Sequence, residues 1–228
     1  MGTSTGNAVL WRGLLGAAAL LGASEAWAAA RTGYDPLSTD EQSLALKMAL
    51  ADARITGPQG QSKRSEVLMV ERHQEDKAAF VATPTLRRAD VYIYLYDSDR
   101  LLQAVVNLPK NAVDSVITAQ KVQLPPTETE GSASLTLALG DSKLGPQIRD
   151  EYFRSTGRKL TSASDLVSDA LVFRSDAHPG AAGGAARDCG LHRCTQLLLT
   201  SRDGILVNVL PIVDLSRGAA VGMTSFAP

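Results

Sequence analysis

The chain has 228 residues, 23 Lys+Arg against 24 Asp+Glu, a formal charge of -1 at pH 7, and is 44% hydrophobic and 21% charged. This is the composition of a globular chain with a packed core, and the length suits two small domains, since domains cluster near ~100 to 150 residues. The balanced charge excludes the basic footprint needed to grip nucleic acid or an anionic membrane surface.

In chain order, Arg12 precedes an apolar stretch over 13–23 and the small residues Ala26, Ala28 and Ala30, the pattern of an export signal spanning 1–30. The apolar stretch falls short of the ~20 residues that cross a bilayer. A periplasmic or secreted protein without a stable membrane anchor is therefore expected. Arg12 has no neighbouring arginine, so the twin-arginine form of signal is not indicated. Ser38-Thr39-Asp40-Glu41 has the geometry of a capping box and predicts a helix over 38–54, with Leu44, Met48 and Ala51 on one face and Gly57-Pro58 as the stop. Strands are predicted over 66–72 and 78–82. In Val91-Tyr92-Ile93-Tyr94-Leu95-Tyr96 strict alternation sends three aliphatic side chains to one sheet face and three tyrosines to the other. Asp97-Ser98-Asp99 is turn chemistry, and returning strands are predicted over 101–108 and 113–122.

Pro125-Pro126 and the polar run after it mark a domain boundary, giving units over 35–126 and 132–228. Helix is predicted over 134–139 and 142–156, stopped by Gly157. A strand over 169–173 follows, then a Gly- and Ala-rich flexible loop over 177–188. Strands over 195–200 and 205–213 flank Ser201-Arg202-Asp203-Gly204, a tight hairpin signal. Each half is therefore α+β, a helix packed on an antiparallel sheet.

Asp35-Pro36-Leu37-Ser38, Arg87-Arg88-Ala89-Asp90-Val91, Gln103-Ala104-Val105-Val106-Asn107-Leu108 and Leu124-Pro125-Pro126-Thr127 together resemble the second N-terminal domain of copper amine oxidases. The amphipathic helix over 148–153, Ala170-Leu171-Val172-Phe173-Arg174, the run over 205–215 and Val213-Asp214-Leu215-Ser216 resemble that family's third N-terminal domain. The resemblance implies two small cystatin-like domains that sit beside a large catalytic domain. It also implies where the chemistry lies: a tyrosine within Asn-Tyr-Asp/Glu becomes topaquinone, and a His-x-His pair with a distant histidine holds copper. The residues preceding the five tyrosines here are Gly33, Val91, Ile93, Leu95 and Glu151, and the three histidines are His73, His178 and His192. Neither motif is present in this sequence. The expectation is a chain without catalytic residues or cofactor of its own, whose partner is a separate catalytic copper amine oxidase chain.

Two constellations remain. Cys189-Gly190-Leu191-His192-Arg193-Cys194 reads as a disulfide between Cys189 and Cys194 in an oxidising compartment. Alternatively, Cys189, His192 and Cys194 could bind a soft cation such as Cu(I), which would suit a copper-binding or maturation factor. The Tyr92, Tyr94 and Tyr96 stripe reads either as a recognition interface or as a sheet face packed on the neighbouring domain. Carboxylate pairs such as Asp97 with Asp99, and Asp40 with Glu41, lie at a turn and a helix start, where acceptors for backbone donors are needed anyway. Ser201 lacks an adjacent histidine to activate it.

Overall fold

Helix formation begins where the cap chemistry predicts it. In the computed structural model, which describes residues 32–57, 60, 62–82, 85–178 and 184–226, Ser38 Oγ accepts the Glu41 N–H and the Glu41 carboxylate accepts the Ser38 N–H at 2.8 Å. Helix α1 then runs Thr39–Ala51. The predicted export signal over 1–30 lies outside the described residues. Asp52 ends α1 and caps the single turn α2, Ala53–Thr56, with Gly57 as its C-cap. The buried face of α1 differs from the predicted one: Ala45 and Ala49 are fully buried, while Leu44 is exposed. Two alanines one turn apart let the helix lie close against the sheet, which rotates the bulkier Leu44 outward.

That sheet contains β1 (Ser65–Arg72), β2 (Arg88–Leu95), β3 (Arg100–Asn107) and β4 (Ala112–Gln120), antiparallel throughout and in that spatial order. Val91, Ile93 and Leu95 join Leu102, Ala104 and Val106 in the core beneath α1. Tyr92 and Tyr94 consequently point to the opposite face, as the alternation predicts. Asp99, at φ 48°, turns β2 into β3. The segment over 78–82, predicted as strand, belongs instead to helix α3, Lys77–Ala82. Alanine is the strongest helix former, and the run has no period-two alternation to hold it in a sheet.

In the second half, Thr127 and Glu130 form another capping box and start α4, Glu128–Gly140, inside the polar run that read as a boundary. Helix α5, Leu144–Thr156, ends at Gly157 in the left-handed conformation, φ 71°. The second sheet holds β5 (Leu166–Val172), β6 (Cys194–Ser201), β7 (Leu206–Val207), β8 (Leu210–Asp214) and β9 (Ala219–Thr224). Its order is β5-β6-β8-β9, with β7 also paired to β6. The hairpin at Asp203-Gly204 forms, with Gly204 at φ 81°. The strand predicted over 205–213 is divided, because the Val209 N–H bonds the Val207 carbonyl in a tight turn and Pro211 has no N–H for the ladder. The last part of the predicted loop over 177–188 is a short 3-10 turn, Gly184–Asp188.

Leu135, Ala138, Ile148 and Tyr152 from α4 and α5 cover Leu197, Leu199 and Val213 of this sheet. Both halves are thus α+β, helices on one face of an antiparallel sheet, and the described residues form one compact unit. No described helix is long and apolar enough to cross a membrane.

Candidate functional site

The outer face of the first sheet meets the second half along a polar seam, and most residues singled out in the sequence gather there. Arg193 stands one residue before β6. Its Nε and Nη2 donate to Glu130 Oε1 and Oε2, both at 2.7 Å. The same guanidinium donates to the carbonyls of Leu124 at 2.7 Å and Pro125 at 3.2 Å. The two side chains are only 1% and 2% exposed. Burying such a pair is tolerable because every remaining donor and acceptor is used, and among the described residues no buried side-chain nitrogen or oxygen lacks a partner.

The tyrosine stripe supplies part of that satisfaction. Tyr96 donates its hydroxyl to Glu130 Oε1 at 2.7 Å. Arg193 lies over the Tyr94 ring, 5.4 Å from its centroid, and the Tyr94 hydroxyl donates to Asp99 at 3.1 Å. Burial, reinforced by Asp99 for Tyr94 and by Glu130 for Tyr96, pushes both phenols well above their ordinary value. They therefore stay protonated donors. Tyr92 lies further along the sheet, half-buried, where burial and then the Asp90 and Glu71 charges push it up to about 12. Tyr94 is buried, and Tyr96, half-buried, is committed to Glu130, so both rings make contacts within the chain.

The Cys-His-Cys loop lies on the other side of the seam. Cys189 and Cys194 are joined as a disulfide, their Cα atoms 5.4 Å apart. With the sulfurs bonded to each other, neither is a thiolate able to take a soft metal. His192 Nδ1 lies 2.7 Å from Asp214 Oδ2 and its Nε2 lies 3.8 Å from Asp99 Oδ2. Ser216 completes this corner by donating to Asp99 while accepting the Arg193 N–H at 3.0 Å. Gln123 donates to the carbonyl of His192 at 3.3 Å, tying the loop to the inter-sheet connection.

The copper site implied by the family resemblance does not fit these residues. His73 Nδ1 pairs with Asp90 at 2.8 Å, His178 stacks on Phe173, and His192 belongs to the seam. Among the described residues no group of three His, Cys, Asp or Glu is placed to hold a metal ion. Ser201 donates to Asp203 at 2.7 Å and closes its own hairpin, where Arg158 also reaches Asp203.

A second feature escaped the sequence reading. The outer face of the second sheet, away from α4 and α5, carries Leu171 at 54%, Val167 at 47% and Leu206 at 42% exposure. Val167 pairs with Thr200, Asp169 with Leu198 and Leu171 with Gln196, so these side chains share one surface with Leu198. The disulfide loop, with Phe173 and Ala186, covers Ile212 at one end of this face, while Val167, Leu171 and Leu206 stay exposed. An open antiparallel face is ordinarily polar, and these exposed aliphatic side chains depart from that pattern. The alternating apolar positions of Leu166-Val167-Ser168-Asp169-Ala170-Leu171-Val172 were the available signal, since both phases of the alternation carry aliphatic side chains.

No protein-family model matches the chain, and no curated protein matches it. Solved structures do. A copper-containing benzylamine oxidase from Hansenula polymorpha is similar over 86% of this chain and 30% of its own, with 15% identity and a TM-score of 0.49. The structure of PPLO is similar over 81% of this chain and 27% of its own, with 12% identity and a TM-score of 0.44. The chain thus spans less than a third of the length of either.

Proposed function

We propose that this chain is an exported, non-catalytic accessory subunit of a copper amine oxidase, of the kind called the tyramine oxidase B subunit, which associates with a separately encoded catalytic chain. The observation that carries this reading is where the family-like sequence runs go. Asp35 and Pro36 offer their carbonyls to Arg87, which also pairs with Glu41. Leu124 and Pro125 do the same for Arg193, which pairs with Glu130. Asp214 and Ser216 of Val213-Asp214-Leu215-Ser216 are used on His192 and Asp99. The first run fastens α1 to its own sheet and the other two help to fasten the two halves together, while the outer face of the second sheet is left for another polypeptide. Export is supported by the signal-like pattern over 1–30 and by the disulfide, which persists in oxidising compartments.

The test is recovery of the tagged chain from its native source. A topaquinone-bearing polypeptide should co-purify with it, and hydrogen peroxide should be released from a primary amine only when that polypeptide is present. Peroxide from the isolated chain, or a chain that is strictly solitary at native abundance, would overturn the reading.

A further inference from the structure

Of the four strands that end the two sheet orders, β1, β4, β5 and β9, three belong to irregular ladders. The β1–β2 register shifts between Val67 and Met69, the β3–β4 register between Val105 and Val106, and the β8–β9 register between Ile212 and Val213. Such bulges twist an edge away from further pairing. The β5–β6 ladder is unbroken from Leu166 to Val172, and β5 contains neither proline nor lysine, the other common protections of an edge. The Phe173 N–H bonds the Cys194 carbonyl. In an antiparallel ladder this sends the polar groups of residues 167, 169 and 171 to β6 and those of Ser168 and Ala170 to the free side. Neither Ser168 nor Ala170 makes a backbone hydrogen bond to another element among the described residues.

A groove of about 770 Å³ runs along this edge, with Ser168 to Leu171 on one side and Thr127, Glu128 and Ser132 at the start of α4 on the other. At Gly131 α4 lies close to β5, where a Cβ would stand in contact with that of Ala170 at 3.4 Å. Its charged lining residues are Glu128 and Asp169, with no basic side chain among them. Both carboxylates are exposed.

We infer that β5 is a strand-addition site that takes an extended, lysine- or arginine-bearing segment of a partner polypeptide. Backbone groups of Ser168 and Ala170 supply the ladder, and Glu128 and Asp169 select the charge. A second copy of this chain is the poorer occupant, because twofold pairing centred on β5 sets Asp169 against its own copy, and like charges directly opposite destabilise a strand pair. The identity of the partner as an oxidase chain rests on the function proposed above; the strand addition does not.

The test uses the whole chain and a peptide of about eight alternating valines and lysines. The peptide should bind and slow hydrogen exchange at the Ser168 and Ala170 amides. A peptide N-methylated at alternate residues, or one with glutamate in place of lysine, should lose binding. The variant carrying Glu128→Lys and Asp169→Lys, two exposed changes, should bind the lysine peptide roughly tenfold or more weakly. No binding, binding indifferent to N-methylation, protection elsewhere, or dimerisation through β5 would each overturn the inference. If the oxidase chain co-purifies equally with wild type and with the double variant, this inference fails and the accessory function stands. If the peptide binds as expected but no oxidase chain co-purifies, the function fails and strand addition stands.

Discussion

The two halves of the molecule are fastened by the same device used at different depths. In each, the glutamate that closes a capping box also takes an arginine standing one residue before a strand: Glu41 with Arg87 before β2, Glu130 with Arg193 before β6. Each arginine donates further to the carbonyls two and three residues before the cap, Asp35 and Pro36 in one case, Leu124 and Pro125 in the other. The first pair is a local clamp, with Arg87 at 6% and Glu41 at 22% exposure. The second is sealed, because Tyr94 and Tyr96 from the first sheet cover it. One arrangement of residues therefore holds a helix to its own sheet in the first half and, in the second, also holds the two halves together.

The largest expected effect comes from breaking the sealed pair. Glu130→Ala leaves a buried guanidinium without its counter-charge and should cost about 4 kcal/mol in denaturant unfolding. Pairing it with Arg193→Met should recover part of that loss, because the stranded charge is what destabilises. Equal losses in the single and double variants would show that the seam depends on Arg193 for more than charge.

The local clamp is read by pH. Its hydrogen bond to Arg87 holds Glu41 down from 4.5 to about 2. A group whose folded value is depressed contributes stability that is complete above its unfolded value and is lost as pH falls through the folded one. The contribution, on the order of 3 kcal/mol, should thus be intact at pH 5 and disappear between about 4.5 and 2. Glu41→Gln should flatten the stability profile over that window. An unchanged acid limb in the variant would remove Glu41 as its source. A smaller effect is expected from Tyr96→Phe, which takes one donor from the buried Glu130 and should cost about 1.5 kcal/mol.

How much of this was legible follows the range of the interactions. Ser38 with Glu41 and the alternation through Val91, Ile93 and Leu95 act over a few residues, so their signals survive in the sequence. Thr127-Glu128-Thr129-Glu130 carried the same cap signal, but Pro125-Pro126 and the polar run after it pointed to a boundary, and the helix start was missed. The Arg193–Glu130 pair spans 63 positions, which no local periodicity can register. Leu44 was placed on one face with Met48 and Ala51 by helical spacing, whereas close packing against the sheet favoured Ala45. Strand β9, Ala-Ala-Val-Gly-Met-Thr, has poor intrinsic strand preference and exists because β8 offers it a ladder. The tyrosine stripe and the cysteine loop were both visible, but that Asp99 stands between Tyr94 and His192 is a product of the fold alone.

The finest comparison is between the two caps themselves. Ser38 and Thr127 each accept a backbone N–H three residues on, at 3.3 and 3.1 Å, so as caps alone Ser38→Ala and Thr127→Ala should cost alike, about 1 kcal/mol. Each hydroxyl also donates to a carboxylate, but to different places: Ser38 to Glu41 of its own capping box at 3.1 Å, Thr127 to Glu66 on β1 at 3.0 Å, across the junction between the halves. Thr127→Ala should therefore couple to Glu66→Ala by roughly 0.5 to 1 kcal/mol, Thr127→Ser should restore most of the loss, and Ser38→Ala should show no coupling to Glu66. Additive losses for Thr127→Ala and Glu66→Ala would remove this hydrogen bond from the contacts that hold the junction.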